Sequence, residues 1–194
     1  MARPKTHDEA LRQRLLARAG ELISSSGVDA LSLRRLAADV DTSTTAVYSL
    51  FGGKPGLVRT VYLEAYRRFG ARLRAVGGTG DAAEDVVRLG LAYRENALAE
   101  PHLYDMLFTG DIEQDEQVQE VALAAFQVLV DAVDAAVVAG VFRPVEPRAV
   151  AIAAWGLVHG LVSLELRGKM PPGAEVAPVY ELALRAAVDG WRRR

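Results

Sequence analysis

Residues 27–54 read Gly-Val-Asp-Ala-Leu-Ser-Leu-Arg-Arg-Leu-Ala-Ala-Asp-Val-Asp-Thr-Ser-Thr-Thr-Ala-Val-Tyr-Ser-Leu-Phe-Gly-Gly-Lys, and this stretch decides the fold. Leu33, Leu36, Ala37 and Val40 recur at i, i+3, i+4 and i+7, one apolar face of a short helix. Ser32 stands before them as an N-cap, its hydroxyl able to accept from an orphan amide of the first turn. Asp41-Thr42-Ser43 then favours a turn over a helix interior. A second helix follows over about 44–50, with Val47 and Phe51 one turn apart and facing the first. Two short helices, a tight turn and small polar residues (Ser43, Thr44, Thr45) opening the second read as a helix-turn-helix. Its second helix enters the DNA major groove N-terminus first, where hydroxyls and methyls meet base edges.

The run from Leu36 to Leu57 resembles the signature of the tetracycline-repressor-like (TetR/AcrR) transcriptional regulators. The matching positions are Ala37, Ser43, Val47, Tyr48, Phe51, Lys54 and Leu57, with Ser32 opening the preceding helix. Three departures stand out. Asp41 replaces the usual turn glycine, and Asp is one of the few other residues that accept the left-handed conformation. Leu50 stands where His is common, a residue that often reaches a phosphate. Gly52-Gly53 replaces the usual Pro-Ser type of pair and predicts a looser loop. The resemblance implies that Thr44 and Thr45 approach bases, that Tyr48 and Lys54 meet phosphates, and that Ser32, Arg35 and Ser43 belong to the same DNA-binding surface.

The chain has 194 residues, 51% apolar and 7% aromatic, which excludes wholesale disorder. It has no cysteine, so disulfides and thiolate metal sites are excluded. Met-Ala-Arg-Pro-Lys-Thr-His-Asp lacks the apolar core of a signal peptide, and a cytoplasmic protein is expected. The net charge of −2 hides an asymmetry. Residues 1–75 carry 13 Lys/Arg against 7 Asp/Glu, and residues 76–194 carry 10 against 18. A head of +6 for phosphates and a body of −8 repelled by them suit a DNA-binding protein.

Outward from the core stretch, a basic arm (Arg3, Lys5) leads into a helix over about 8–25 with Leu11, Leu15, Ala19, Leu22 and Ile23 inward, closed by Gly27. Pro55 opens the next helix, whose apolar face runs through Val58, Val61, Tyr62, Ala65, Phe69 and Leu73 to the glycines at 77 and 78. Helices over 82–99 and 101–108 divide at Glu100-Pro101. Residues 109–116 form an acidic loop without the ligand spacing or glycine of a calcium site, so a solvated loop is expected and no metal. A long helix over 117–139 buries Val118, Val121, Ala122, Ala125, Leu129 and Val133.

Residues 148–166 are apolar almost all round, predicting burial on every side. A membrane span is the alternative, opposed by His159, Glu165 and the want of a second span or a basic flank. Gly156, Gly160 and Ser163 fall at i, i+4 and i+7, a strip along which another helix can approach closely. A last helix, 175–191, is expected to turn Val179, Leu182, Ala183, Ala186 and Ala187 inward. The fold class is therefore all-α with about nine helices. Residues 1–54 form a helix-turn-helix domain, and 55–194 a ligand-binding and dimerisation domain.

Trp155-Gly-Leu-Val-His159-Gly160 resembles the Trp-x-x-x-His-Gly signature of one C-terminal subtype of the same family, and Pro101–Phe108 resembles a segment upstream in it. The resemblance implies a homodimer held by helices eight and nine; Ile152, Gly156, Gly160, Ser163, Val179, Leu182, Ala183 and Ala186 are the interface candidates. Tyr66, Phe69, Tyr93, Met106, Phe108, Phe126, Trp155 and His159 are the candidates to line an effector pocket, although aromatic and Met residues at helical spacing also serve as plain core. The function expected is a repressor released from a palindromic double-stranded operator by a small apolar effector, without cofactor. The alternatives are a ligand-independent DNA-binding regulator and an all-α enzyme using His159. Against the enzyme, His7 and His102 form no ligand pair with His159, and no nucleophile triad or phosphate loop is present.

Overall fold

In a computed structural model, which describes residues 5–109 and 115–193, the regular elements among the described residues are nine helices. They are α1 (Lys5–Ser26), α2 (Leu33–Asp39), α3 (Thr44–Phe51), α4 (Lys54–Ala75), α5 (Ala82–Ala99), α6 (Pro101–Thr109), α7 (Glu116–Val138), α8 (Pro147–Leu166) and α9 (Val176–Trp191). Arg3 of the basic arm and residues 110–114 of the acidic loop lie outside the described residues. The chain divides into two compact units. One comprises residues 1–66 with 100–118, and the other residues 67–99 with 119–194. The division falls within α4 at Tyr66 and groups α6 with the N-terminal unit.

In the first unit α1 packs on α2 and α6, and α2 on α3. Leu15, Ala19 and Ile23 of α1 are fully buried, as are Leu36, Val47 and Leu57. Polar contacts hold this small core in register. Arg14 donates to the carbonyl of Val40 at 2.5 Å, satisfying an acceptor at the end of α2. Arg18 bridges Asp39 and Glu21, and the Arg12 guanidinium lies over the Phe51 ring. Farther along the unit, Asp115 accepts from the Val118 amide at 2.9 Å, opening α7, and pairs with Arg59 of α4. The Val118 amide, then the Arg59 guanidinium, hold the Asp115 carboxyl below its usual range.

In the second unit α5 meets both α8 and α9, which also meet each other. Val86, Val133, Phe142, Val150, Ala151 and Val188 form its core. Gly90 lets α9 approach closely: a Cβ there would stand 2.6 Å from Cδ2 of Leu184, and the Tyr180 hydroxyl donates to the Gly90 carbonyl at 2.8 Å. Arg94 pairs with Glu165 at 2.5 Å and lies over the Tyr180 ring, tying α5 to α8 and α9. After α7 the segment 141–143 runs antiparallel to 191–193, joined through Phe142 and Arg192.

Three sequence expectations are corrected here. The inward face of α9 is Tyr180, Leu184 and Val188, whereas Val179, Leu182 and Ala186 are exposed. Both stripes are apolar at helical spacing, so periodicity alone could not tell which one meets the helix's own chain. Likewise α8 is buried on one face only, through Val150, Ala151, Val158 and Val162; Ile152, Trp155 and Leu164 are partly in solvent. By length and hydropathy α7 and α8 could each cross a membrane, so the expectation that 148–166 has no second candidate span beside it is corrected: the apolar run of α7 is as long. Both instead contribute residues to the core of this unit, Val133 and Ala136 from α7 and Val150 and Ala151 from α8.

Candidate functional site

The turn between α2 and α3 is built by the residue types the sequence placed there. Ser32 caps α2 by accepting from the Arg35 amide at 3.4 Å, and Ser43 caps α3 by accepting from Ala46 at 3.2 Å. Asp41 takes φ 54°, the one left-handed non-glycine among the described residues, so the turn closes without the usual glycine. Val47 and Phe51 face inward, which forces the opposite side of α3 into solvent. That side carries Thr45, Tyr48 and Ser49; Thr44 is half-buried, and Arg34 and Arg35 are exposed on α2. Thr45 and Ser49 stand at i and i+4, so both hydroxyls share one face. Sequence reading passed over Ser49, although its spacing from Thr45 carried the signal.

The loop after α3 turns on two glycines. Gly52 at φ 73° caps the helix, donating to the Tyr48 carbonyl. Gly53 at φ 112° then lies beneath the Tyr48 ring. Both glycines hold φ angles that other residues take only with strain. Lys54 reaches across to the carbonyl of Asp29 at 3.3 Å, which orients its ammonium at the edge of the same surface.

The eight pocket candidates fall into two groups. In the first unit Tyr62 and Tyr66 both donate to the Leu107 carbonyl at 3.4 Å. Tyr66 meets Phe108 edge-on at 6.1 Å, and Met106 is buried. Burial, followed by the neighbouring Tyr62, pushes the Tyr66 phenol well above its ordinary pKa. In the second unit the rings run Phe69, Tyr93, His159, Trp155, Phe126. Phe69 meets Tyr93 edge-on at 5.5 Å, and the Tyr93 hydroxyl lies 2.9 Å from Nδ1 of His159. Trp155 stands 5.9 Å from both His159 and Phe126, centroid to centroid. Burial, then the charge of Arg167, lowers the pKa of His159 and favours the neutral ring.

Against this second group lies a cavity of about 380 Å³, within the usual range for small-ligand sites. Of the candidates, Tyr93 and Trp155 line it; Phe69, Phe126 and His159 are absent from its wall and touch those two. The rest of the wall is aliphatic or aromatic, including Leu73, Leu89, Leu129, Phe142, Val158 and Trp191. The sequence reading missed these because aliphatic side chains bordering a void look the same in sequence as those filling a core.

Residues 15–61 match the family described as bacterial regulatory proteins of the tetR family, and residues 86–187 match the tetracyclin repressor-like C-terminal domain. The chain belongs to the TetR family. Among solved structures, TetR-like architecture recurs along nearly its whole length. A protein of unknown function from Rhodococcus sp. RHA1 is 28% identical, with a TM-score of 0.85 over 94% of this chain and 96% of that one. SCO4313, a proposed regulatory protein, is 27% identical, with a TM-score of 0.77 over 97% of this chain and all of that one. The TetR family transcriptional regulator PfmR from Thermus thermophilus is 20% identical, with a TM-score of 0.68 over 93% of this chain and 100% of that one, a likeness of fold. No curated protein matches the chain. This member of the TetR family is a transcription regulator with helix-turn-helix architecture, and α2 and α3 are the two helices of that motif.

Proposed function

We propose that this TetR-family regulator is a cytoplasmic homodimeric repressor that binds a palindromic operator and is released from it by a small apolar effector. The observation that carries the reading is the pairing of two features in one chain. The first unit exposes Thr45, Tyr48 and Ser49 on α3, and the second holds an apolar cavity. A regulator that bound DNA without a ligand would have no need of an apolar cleft of this size, because apolar surface left to water is unfavourable. Dimerisation is supported by the exposed stripe Ile152, Val179 and Leu182, with Gly156 and Gly160 beside it, whose missing side chains face open space. Two copies related by a two-fold axis would present two copies of α3 to successive major grooves. The effector releases DNA only if it prefers the arrangement that cannot span two half-sites; affinity alone shifts nothing.

Selection of random duplexes by the full-length protein tests the DNA half of this reading. The expected outcome is enrichment of an inverted repeat with half-sites about one helical turn apart. Enrichment of no sequence, or of a single unrepeated half-site bound by a monomer, would overturn it.

A further inference from the structure

Among the residues that line the cavity one is charged, Arg143, and it is exposed to solvent. The backbone amide of Arg143 donates to the Trp191 carbonyl at 3.0 Å, which pins the segment. Its guanidinium lies over the Trp191 ring at 4.9 Å, and Trp191 itself lines the cavity. Among the described residues no carboxylate pairs with Arg143; the nearby Asp189 is taken by Arg192 at 2.8 Å. Stacking occupies one face of a guanidinium and leaves the N–H groups along its edge free, in the geometry that suits a carboxylate. Inside, the polar groups are few. The Tyr93 hydroxyl is engaged with His159, and the other walls are mostly Leu, Val, Phe and Ala.

From this juxtaposition of an apolar cavity with an unpartnered, ring-stacked arginine at its mouth, we infer that the effector is an amphipathic carboxylic acid. Its hydrocarbon body fills the space between Leu73, Leu129, Val158 and Leu184, and its carboxylate is held at Arg143. The inference rests on the effector reading above and deepens it by naming the ligand class. A neutral apolar compound of the same shape leaves the arginine unused. An amine meets a like charge there.

The test uses the two tryptophans of the chain, Trp155 and Trp191, both of which line the cavity. Decanoate, methyl decanoate, decanol and decylamine are titrated into the full-length protein while tryptophan emission is followed. Decanoate is expected to bind about threefold to tenfold tighter than the ester, the alcohol or the amine, the gain of a charge-assisted pair at a solvent-exposed arginine. Arg143→Gln should erase that preference while leaving the affinity for decanol within about twofold, and Arg143→Lys should restore part of it. Arg143 is exposed, so both variants should melt within a few degrees of the wild type, which is checked before titration. Equal binding of acid and alcohol overturns the inference, as does an Arg143→Gln variant that binds decanoate normally. If no probe alters the emission, the void is filled by a second copy or stays empty, and the inference fails again. Operator affinity is measured separately. Selective acid binding that leaves it unchanged upholds the ligand class and sinks the release mechanism.

Discussion

The ring of Tyr48 lies on the backbone of Gly53: a Cβ at Gly53 would stand 3.0 Å from Cε1 of Tyr48. Gly53 also holds φ 112°, and Gly52 beside it holds φ 73° with open space where a Cβ would be. The two glycines therefore separate strain from contact. Either change to Ala forces a left-handed backbone and should lower stability by about 1–2 kcal/mol. Only Gly53→Ala also displaces the Tyr48 ring. Operator affinity, measured at a temperature where both variants are folded, should fall for Gly53→Ala and hold for Gly52→Ala. Equal losses would mean that Tyr48 owes its position to something else.

Exposed residues of α3 should divide into those that read bases and those that grip the backbone. Thr45→Val should change preference at one base pair, by about 1–3 kcal/mol. Tyr48→Phe should weaken binding on every sequence alike. Lys54→Ala should lower the slope of log affinity against log salt by about one unit, since one phosphate neutraliser is lost. Anisotropy titrations on the selected operator and on a scrambled duplex, at several salt concentrations, read all three. A Thr45→Val variant with an unaltered base preference would remove Thr45 from the reading face.

Gly160 has nothing within 4 Å of the place a Cβ would occupy, so a side chain there starts out into open space. Gly160→Leu should even raise helix stability slightly, by up to about 1 kcal/mol. At a two-fold interface the same side chain overpacks both copies, at about 1–3 kcal/mol each. The variant should therefore keep its helical circular dichroism while sedimenting as a monomer. A dimer of unchanged affinity would place the interface away from the Gly156–Gly160 strip.

His159 gives the fold a pH dependence whose sign can be stated. Its folded pKa is depressed, by burial first and by Arg167 second, below an unfolded value of about 6.5. The unfolded chain therefore binds more protons, and stability falls as the pH falls. The contribution is fully present above about pH 6.5 and is lost as the pH drops from there through the folded value. Wild-type melting temperature should decline between pH 7.5 and 5.5, and His159→Gln should flatten that part of the decline. Parallel curves for the two proteins would assign the dependence to other groups.

Much of this molecule was legible in the sequence because its signals are local. The cap at Ser32, the turn at Asp41 and the closure at Gly27 depend on a few neighbouring residues, and each appears in the structure as read. The helices follow the predicted spans to within a few residues for the same reason: a 3.6-residue period and a glycine or proline at the ends suffice to define them. What only the tertiary structure decided is direction and emptiness. A stripe such as Val179, Leu182 and Ala186 is apolar whether it meets its own chain or faces outward, and packing chose Tyr180, Leu184 and Val188 for the inside. The eight pocket candidates look alike in composition, yet the units gather them into two groups, and only Tyr93 and Trp155 reach the void. Gly53 and Arg143 were unreadable in sequence for a related reason. The partner of each lies across a fold-dependent gap: the ring of Tyr48 turns back onto the loop, and Trp191 comes 48 residues after Arg143 to stack beneath it. A one-dimensional pattern records what a side chain is, whereas its neighbours and the spaces left between them follow from how the helices pack.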